Sequence, residues 1–211
     1  VVQEPWVDSH ADGVLIRTTF ADTPVSWDLP TNTAVVPRGE ALVLTALMPA
    51  MRLGIPLVLP AGWPIDALFQ THIEELQGIW QLWFPGLRRI AIEAEIAEQT
   101  NLPVGRAAGF SGGVDSSYTV ATRRSALDAL VFVAGIDTKR RNDLLMARII
   151  ERNRDTAGML GLQLLVIRTD VKEYSNQQRL SWTVYHGAAL AAVAHLLGLS
   201  DYSIAGSNSW E

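Results

Sequence analysis

The second half of the chain alternates short apolar runs with longer segments of helical periodicity. Continuous apolar runs predict buried strands, and apolar residues that recur every three or four positions predict the helices between them. The predicted elements are strand 107–110, helix 115–127, strand 129–134, helix 142–160, strand 162–167, helix 181–197 and strand 202–205. Repeated strand–helix–strand units with apolar strands favour parallel pairing, with helices on both faces of the sheet. We therefore predict a doubly wound parallel α/β sheet for this half.

The first half shows a less regular pattern. Its predicted elements are strands 14–20, 24–29 and 34–37, helix 40–53, strand 56–59, helix 65–83 and strand 87–96. Pro49 is expected to bend or end the helix that contains it. Asn101 and Gly105 then interrupt the apolar pattern. We therefore predict a smaller mixed α/β region over residues 1–100, which precedes a second domain over residues 101–211.

Composition describes a globular protein. Of the 211 residues, 48% are hydrophobic and 18% are charged, which supports a sizeable core and excludes the disordered class;. The most apolar window, 41–60, contains Arg52 and several prolines, so it does not predict a membrane-spanning helix. No secretory signal pattern is seen, and cysteine is absent;. We expect a cytoplasmic protein without thiolate zinc sites or thiol nucleophiles in these residues.

Charge is distributed unevenly between the two halves. Residues 1–100 carry 5 basic and 12 acidic side chains, whereas residues 101–211 carry 12 basic and 10 acidic ones, and the net charge is −5. The more basic half is the one that would suit a polyphosphate ligand. The acidic balance of the whole chain argues against nucleic acid as the main partner.

Chemistry-bearing residues concentrate between the first strand and the first helix of the second half. They form one continuous run, which is Ser111, Gly112, Gly113, Val114, Asp115, Ser116 and Ser117. Glycine lets the backbone turn sharply and approach a ligand closely, and the first N–H groups of a helix favour an anion. The run lacks the lysine of the Walker loop and the spacing of the dinucleotide fingerprint. It therefore predicts an anion-binding loop of another type.

The run SGGVDSS resembles the pyrophosphate-binding loop of the PP-loop ATP pyrophosphatase superfamily, which includes GMP, NAD and asparagine synthetases. The resemblance implies that the N–H groups of residues 112–116, with the hydroxyls of Ser111, Ser116 and Ser117, hold the β- and γ-phosphates of ATP. A carboxylate beside phosphate is repulsive unless a cation lies between them, so we assign Asp115 to Mg²⁺. The alternative role of Asp115 is a helix N-cap.

Further polar segments follow the other predicted strands, at the edge where ligands bind parallel sheets. In the proteins that this chain resembles, the region after the second strand packs on adenine and ribose, which makes Gly135 and Asp137 candidate nucleotide contacts. Lys139 is a candidate catalytic cation that reaches phosphate or substrate. With Arg140 and Arg141, it could instead form the solvated start of a helix.

Two later segments complete the candidate site. The run 168–170, Arg-Thr-Asp, could bind substrate or only turn the chain. The segment 205–211 loosely resembles the corresponding part of NAD synthetase, which makes Glu211 a candidate second metal ligand, and we expect the fold to continue beyond it. His186 could lie near the ligand edge, although a structural role is favoured for both His186 and His195.

The resemblance implies a reaction in which ATP is cleaved between its α- and β-phosphates. A carboxylate or carbonyl oxygen of a small molecule takes AMP, pyrophosphate leaves, and an amine or ammonia then displaces AMP. We therefore expect a ligase or synthetase that uses ATP and Mg²⁺, with residues 1–100 supplying an acceptor pocket or a homodimer face. Two alternatives stay open: a PP-loop enzyme that modifies tRNA or a nucleobase, and a nucleotide-binding module without turnover.

Overall fold

A computed structural model describes residues 1–31, 38–97, 105–136 and 143–205. The strands in this part of the chain are β1 (Trp6–His10), β2 (Gly13–Phe20), β3 (Thr23–Pro30), β4 (Leu57–Val58), β5 (Ile65–Asp66), β6 (Ile92–Glu93), β7 (Ile96–Ala97), β8 (Arg106–Gly109), β9 (Ala129–Ala134), β10 (Gln163–Thr169) and β11 (Asp201–Ser203). The α-helices are α1 (Gly39–Leu53), α2 (Ala67–Trp83), α3 (Val114–Arg123), α4 (Asp143–Met159), α5 (Val171–Gln177) and α6 (Trp182–Leu196).

The centre of the protein is a mixed seven-stranded sheet with the order β1-β2-β3-β10-β9-β8-β11. The pairs β1–β2, β2–β3 and β3–β10 are antiparallel. The pairs β10–β9, β9–β8 and β8–β11 are parallel. The predicted doubly wound parallel sheet is therefore wrong, because three strands from the start of the chain extend the sheet in antiparallel pairing.

The patterns of β2 and β3 explain why their antiparallel pairing with the rest of the sheet was not predicted. β2 places buried Ile16 next to exposed Arg17, and β3 alternates apolar and polar residues from Val25 to Leu29, so each strand can be predicted;. Their hairpin turns at Ala21 and Asp22, which both have positive φ. Alternation identifies a strand and its buried face, but it does not identify the neighbour that takes its edge. In this protein the neighbour is β10, whose Thr169 lies opposite Trp27.

Helices cover both faces of the parallel strands. On one face, Ala108 and Leu130 pack with Val120 of α3 and Ala157 of α4. On the other face, the main core brings the sheet together with α1, α5 and α6. The apolar sequence of α6 predicts a buried helix, and this prediction is confirmed, since many of its side chains are fully enclosed. The sequence pattern does not predict α5.

Pro49 shows how α1 and α6 are joined. Proline has no N–H, so the carbonyl of Thr45, four residues earlier in α1, loses its helical donor. The hydroxyl of Tyr185 in α6 donates to that carbonyl at 2.8 Å. The helix therefore continues through Pro49 to Leu53. The predicted end of this helix at Leu53 is confirmed, and Pro49 does not end it, because a neighbouring helix satisfies the carbonyl.

The chain path through the parallel strands creates a crevice. From β8 the chain runs through α3 to β9 and through α4 to β10, always moving toward β3. It then returns through α5 and α6 on the opposite face and adds β11 on the other side of β8. Where strand order reverses in this way, the loops at the carboxyl ends part and leave room for a ligand. The reversal point lies between β8 and β11.

The main core draws side chains from both halves of the sequence, for example Trp27 and Leu47 with Ile167 and Val193. Most of the predicted domain boundary, 98–105, lies outside the described residues. In the described ranges, the helices are all too short or too polar to cross a membrane.

Candidate functional site

The SGGVDSS run lies where β8 passes into α3, beside the reversal point. The N–H of Phe110 donates to the carbonyl of Val131 at 2.8 Å, which holds the end of β8 against β9. Gly112 then takes a φ of +79°, and a Cβ built there would lie 2.8 Å from Oδ1 of Asn153. Both the backbone conformation and the space at this position require glycine. The loop therefore has a fixed sharp turn that a larger residue would disturb.

The start of α3 presents its first N–H groups without a side-chain cap. Gly113 is the N-cap residue, with φ −80° and ψ 171°, and as a glycine it has no side chain that could cap the helix. Asp115 lies in the first turn of the helix, two positions after the N-cap. Asp115 is therefore not the N-cap, and the alternative role considered for it is wrong. An uncapped helix start with positive potential is suited to an anion.

The serine hydroxyls of the loop take different positions. Ser116 is buried, and its hydroxyl donates to the carbonyl of Gly113 at 3.0 Å. Oγ of Ser111 lies 3.3 Å from Oγ of Ser116 and accepts the Gly113 N–H at 3.3 Å. Ser111 and Ser117 are exposed. In this structure Ser116 thus shapes the loop, and phosphate binding by the three hydroxyls stays a prediction.

A cavity of about 180 Å³ adjoins the loop at the carboxyl ends of the parallel strands. Its walls include Phe110, Val133, Trp182, His186 and Tyr202. It is smaller than the pockets of about 300–1,000 Å³ that enclose drug-sized ligands. The enclosed part therefore suits a planar ring system, and charged groups attached to that ring would lie outside it, near the loop.

The first turn of α6 supplies the aromatic wall of this cavity. Trp182 and His186 are four residues apart, so they lie on the same helix face, with ring centroids 6.3 Å apart;. Nδ1 of His186 lies 3.2 Å from the carbonyl oxygen of Trp182. This contact orients the imidazole ring at the cavity wall. His186 therefore lies at the ligand edge of the sheet, while His195 is partly buried with its ring against that of Phe69.

Lys172, which sequence reasoning missed, places a cation at the cavity. Its Nζ donates to the carbonyl of Ile136 at 2.7 Å and lies 5.4 Å from the centre of the Trp182 ring. Ile136 and Trp182 both line the cavity. Lys172 follows the polar run 168–170 on a short helix that the pattern does not predict. The sequence therefore contained no clear signal for its position.

Tyr202 brings a buried hydroxyl to the same region. A Cβ at Gly109 would lie 3.1 Å from this hydroxyl oxygen, so the glycine makes room for it. The hydroxyl has no hydrogen-bond partner in the described part of the chain. Burial raises the pKa of the Tyr202 phenol above its ordinary value, so the group stays protonated;.

Asn153 is the other residue that sequence reasoning missed. It is only 2% exposed, and its Nδ2 has no acceptor within the described residues. Its position in α4 falls in the apolar stripe that contains Ile150 and Ala157. A polar amide in an apolar stripe is a signal that could have been found in the sequence, because buried polar side chains are uncommon without a purpose.

The run 168–170 has a structural role for two of its three residues. Oδ1 of Asp170 accepts the N–H of Ser26 at 2.7 Å, and its Oδ2 accepts the Ser26 hydroxyl at 2.7 Å. The hydroxyl of Thr169 donates to the carbonyl of Ser26 at 2.8 Å. These bonds fasten the end of β10 to β3. Of the two interpretations left open for this segment, the structure favours the one in which it orders the chain.

Gly135 is also required by packing. Its φ is +107°, and a Cβ there would overlap the carbonyl oxygen of Thr169. Contact with a nucleotide stays a prediction for this residue. Asp137, Lys139 and Glu211 lie outside the described residues, so their predicted roles stay predictions as well.

The described residues hold no group of three or more His, Cys, Asp or Glu side chains that could form a metal cage. Asp115 is nevertheless suited to Mg²⁺. This ion keeps most of its waters and is commonly held by one or two carboxylates together with substrate phosphates. The exposed carboxylate of Asp115, at an uncapped helix start, fits that shared mode of binding.

Comparison with protein-family models, with curated protein sequences and with solved structures finds no match for this chain.

Proposed function

We propose that the protein binds ATP at the reversal point of the sheet and cleaves it to AMP and pyrophosphate. The observation that carries the proposal is the placement of the SGGVDSS loop and the aromatic cavity side by side. The uncapped start of α3 suits the terminal phosphates, and the cavity between Trp182 and Phe110 suits the adenine ring;. The α-phosphate of ATP would then lie between the loop and the cavity, and its phosphorus is the atom that the acceptor attacks.

The chain's own groups support this reaction by position and charge. When an acceptor oxygen attacks the α-phosphorus, negative charge moves onto the leaving pyrophosphate. N–H groups that already point toward an anion stabilise that charge without reorganising. Lys172 adds a positive charge near the cavity, where it can offset the charge of the α-phosphate;. Mg²⁺, when bound by Asp115 and the phosphates, supplies further charge neutralisation.

The acceptor in this proposal is a small-molecule carboxylate or carbonyl compound, and the product is completed by an amine or ammonia. A cytoplasmic enzyme that consumes ATP agrees with the cysteine-free composition;. An acidic chain is a poor match for tRNA, whose binding depends on basic side chains;. The tRNA- or nucleobase-modifying alternative is therefore the less favoured proposal.

The first experiment is calorimetry with ATP and Mg²⁺, followed by an assay for pyrophosphate with a pool of candidate carboxylates. We expect binding heat and the products AMP and pyrophosphate. Products of ADP and orthophosphate, or the absence of binding heat, would contradict the proposal. Binding without turnover on any acceptor would instead favour a nucleotide-binding module.

The matched substitutions are Asp115→Ala and Asp128→Ala. Asp115→Ala is expected to lower turnover by about 100-fold or more, since it removes the carboxylate that positions the cation. Asp128 is an exposed carboxylate that hydrogen bonds to Arg106 at the other end of β8, so its loss should leave turnover unchanged. Equal activities of the two variants would remove Asp115 from the proposed site.

A further inference from the structure

Asn153 is a polar residue in a place where an apolar one would be expected. It lies on the buried face of α4 between Ile150 and Ala157, and it is almost fully buried. Its Nδ2 has no acceptor among the residues that the structure describes. A buried donor without an acceptor lowers stability, and a leucine of similar size would avoid that loss. A purpose other than stability therefore has to explain the amide.

The amide lies directly beneath the turn of the loop. Its Oδ1 is 2.8 Å from the place that a Cβ on Gly112 would take, and its Nδ2 is 4.0 Å from the same place. Gly112 is the residue with positive φ that reverses the chain between β8 and α3. Asn153 is thus in contact with the part of the loop whose conformation decides where the first N–H groups point.

Peptide geometry indicates what the amide can do. The N–H of Gly112 and the carbonyl of Ser111 belong to one planar trans peptide unit, so they point in opposite directions. If the N–H turns outward to an anion, the carbonyl turns inward, toward α4. A donor beneath the loop would then find an acceptor. Among the described residues, the Nδ2 donor of Asn153 has no acceptor.

We propose that Asn153 is a positioning residue for the phosphate loop, and that its amide donates to the Ser111 carbonyl when an anion binds. The proposal rests on the proposed function, since it takes the loop as the pyrophosphate site. Asn153 acts through the Gly112 peptide and does not touch the reacting atoms. Its hydrogen bond holds the Gly112 N–H toward the anion and couples α4 to occupancy of the loop.

The test compares pyrophosphate with AMP, using titration calorimetry on the full chain. Asn153→Leu keeps the side-chain size and removes the donor. We expect pyrophosphate to bind about tenfold more weakly, AMP to bind within twofold of the unchanged protein, and the unfolding temperature of the ligand-free protein to stay equal or rise. Asn176→Leu is the matched control, because it makes the same change at an exposed position of α5.

A pyrophosphate affinity of Asn153→Leu within twofold of the unchanged protein would overturn the proposal and leave the proposed function standing. An equal loss of pyrophosphate and AMP affinity, together with a lower unfolding temperature, would also overturn it, since Asn153 would then only support the fold. If the unchanged protein binds neither ligand, the proposed function fails with it.

Asn153→Asp keeps the test decisive should the leucine variant not fold. It has the same shape, loses the donor and adds a negative charge beneath the loop. We expect a loss of pyrophosphate affinity greater than that of Asn153→Leu, or greater than tenfold when it is the only variant measured, with AMP again unaffected. Unchanged pyrophosphate affinity in Asn153→Asp would overturn the proposal.

A spectroscopic readout separates positioning from structural support. In ¹⁵N–¹H spectra of the unchanged protein, pyrophosphate should shift the Gly112 amide and the side-chain amide of Asn153 together. In Asn153→Leu, saturating pyrophosphate should shift the Gly112 amide less. A shift at Gly112 without any shift of the Asn153 side chain would contradict the proposed hydrogen bond.

Discussion

Two polar loops follow parallel strands at the same edge of the sheet, and their polar side chains differ in what they contact. The SGGVDSS loop follows β8, and the run 168–170 follows β10. Both contain hydroxyl and carboxylate side chains. In the second loop, Asp170 accepts two hydrogen bonds from Ser26, and Thr169 donates one to the Ser26 carbonyl. In the first loop, the helix start has no side-chain cap, and Ser111, Asp115 and Ser117 face solvent.

The neighbouring strands account for the difference. β10 has β3 beside it, and β3 brings the backbone and hydroxyl of Ser26 within reach of Asp170. β8 has the short strand β11 beside it, in parallel pairing, and β11 ends near the cavity. Residue types alone therefore do not mark a ligand site. The fold can use the same residue types to order the chain, as it does with Thr169 and Asp170.

The largest effect is expected for Gly112→Ala, which should distort the turn of the SGGVDSS loop. A side chain at φ +79° is strained by about 1–3 kcal/mol, and its Cβ would press on Oδ1 of Asn153 at 2.8 Å;. We expect pyrophosphate binding to weaken by about 100-fold, measured by calorimetry. The neighbouring Gly113→Ala is the matched control, because Gly113 has an ordinary φ of −80°.

Gly113→Ala should therefore leave affinity much closer to that of the unchanged protein. Equal losses in the two glycine variants would show that close approach of any ligand to the loop, and not the turn at Gly112, decides affinity.

A smaller effect is expected for Asp170→Ala, which tests the structural role of the run 168–170. It removes two hydrogen bonds from a carboxylate and leaves the N–H of Ser26 without its acceptor. We expect the free energy of unfolding to fall by about 2–4 kcal/mol in denaturant titrations, with unchanged ATP affinity. Ser26→Ala removes only the hydroxyl bond and should lower the free energy of unfolding by about 1 kcal/mol.

The comparison between the loops would fail if Asp170→Ala lost ATP affinity at unchanged stability, because the run 168–170 would then belong to the ligand site.

Tyr202→Phe tests whether the buried hydroxyl at the cavity beside the SGGVDSS loop has a hydrogen-bond partner. It removes a buried hydroxyl that has no partner in the described ranges. We expect the free energy of unfolding to rise by about 1 kcal/mol in denaturant titrations. Tyr118→Phe, on the exposed face of α3, is the control and should change nothing. A loss of stability in Tyr202→Phe would mean that the hydroxyl has a partner in a neighbouring segment.

The smallest effect is expected for a change of pH. It should change the stability of the fold through His195, which lies in neither loop. Burial lowers the pKa of His195 from its ordinary value near 6.5, while nearby Glu40 raises that pKa and Arg38 lowers it. The unfolded chain then binds more protons than the folded one below this value, so stability falls as pH falls below about 6.5.

His195→Phe should flatten the pH dependence of the unfolding temperature between about pH 5 and 7, relative to the unchanged protein. An identical pH dependence in both proteins would show that His195 does not carry the effect.

Several local features follow directly from the sequence. The stripe of α2 is visible in its periodicity, and its start is fixed by Asp66, whose carboxylate accepts the N–H groups of Leu68 and Phe69;. The turn of the SGGVDSS loop follows from its paired glycines. These features depend on residues within a few positions of one another, and interactions of that range can be predicted from sequence.

Other features depend on residues far apart in the chain. The passage of α1 through Pro49 could not be explained from local sequence, because the donor to the Thr45 carbonyl lies 140 residues away on α6. The role of Asp170 could not be predicted either, since its partner Ser26 is 144 residues distant. Lys172 and Asn153 reach the candidate site from α5 and α4. The apolar stripe of α4 marks Asn153 as unusual, but nothing near either residue in sequence indicates where it lies in the fold.

By itself the sequence determined most strands of the central sheet, most helices and the glycine turn after β8, while the chemistry of this turn stays a prediction. Only the tertiary structure decided that β3 pairs with β10. This pairing made the sheet mixed and brought Thr169 and Asp170 into hydrogen bonds with Ser26. The tertiary structure also decided that α4 places an amide beneath the SGGVDSS loop. The physical reason is that periodicity and capping act over a few residues, while strand pairing and buried hydrogen bonds join positions that only the folded chain brings together.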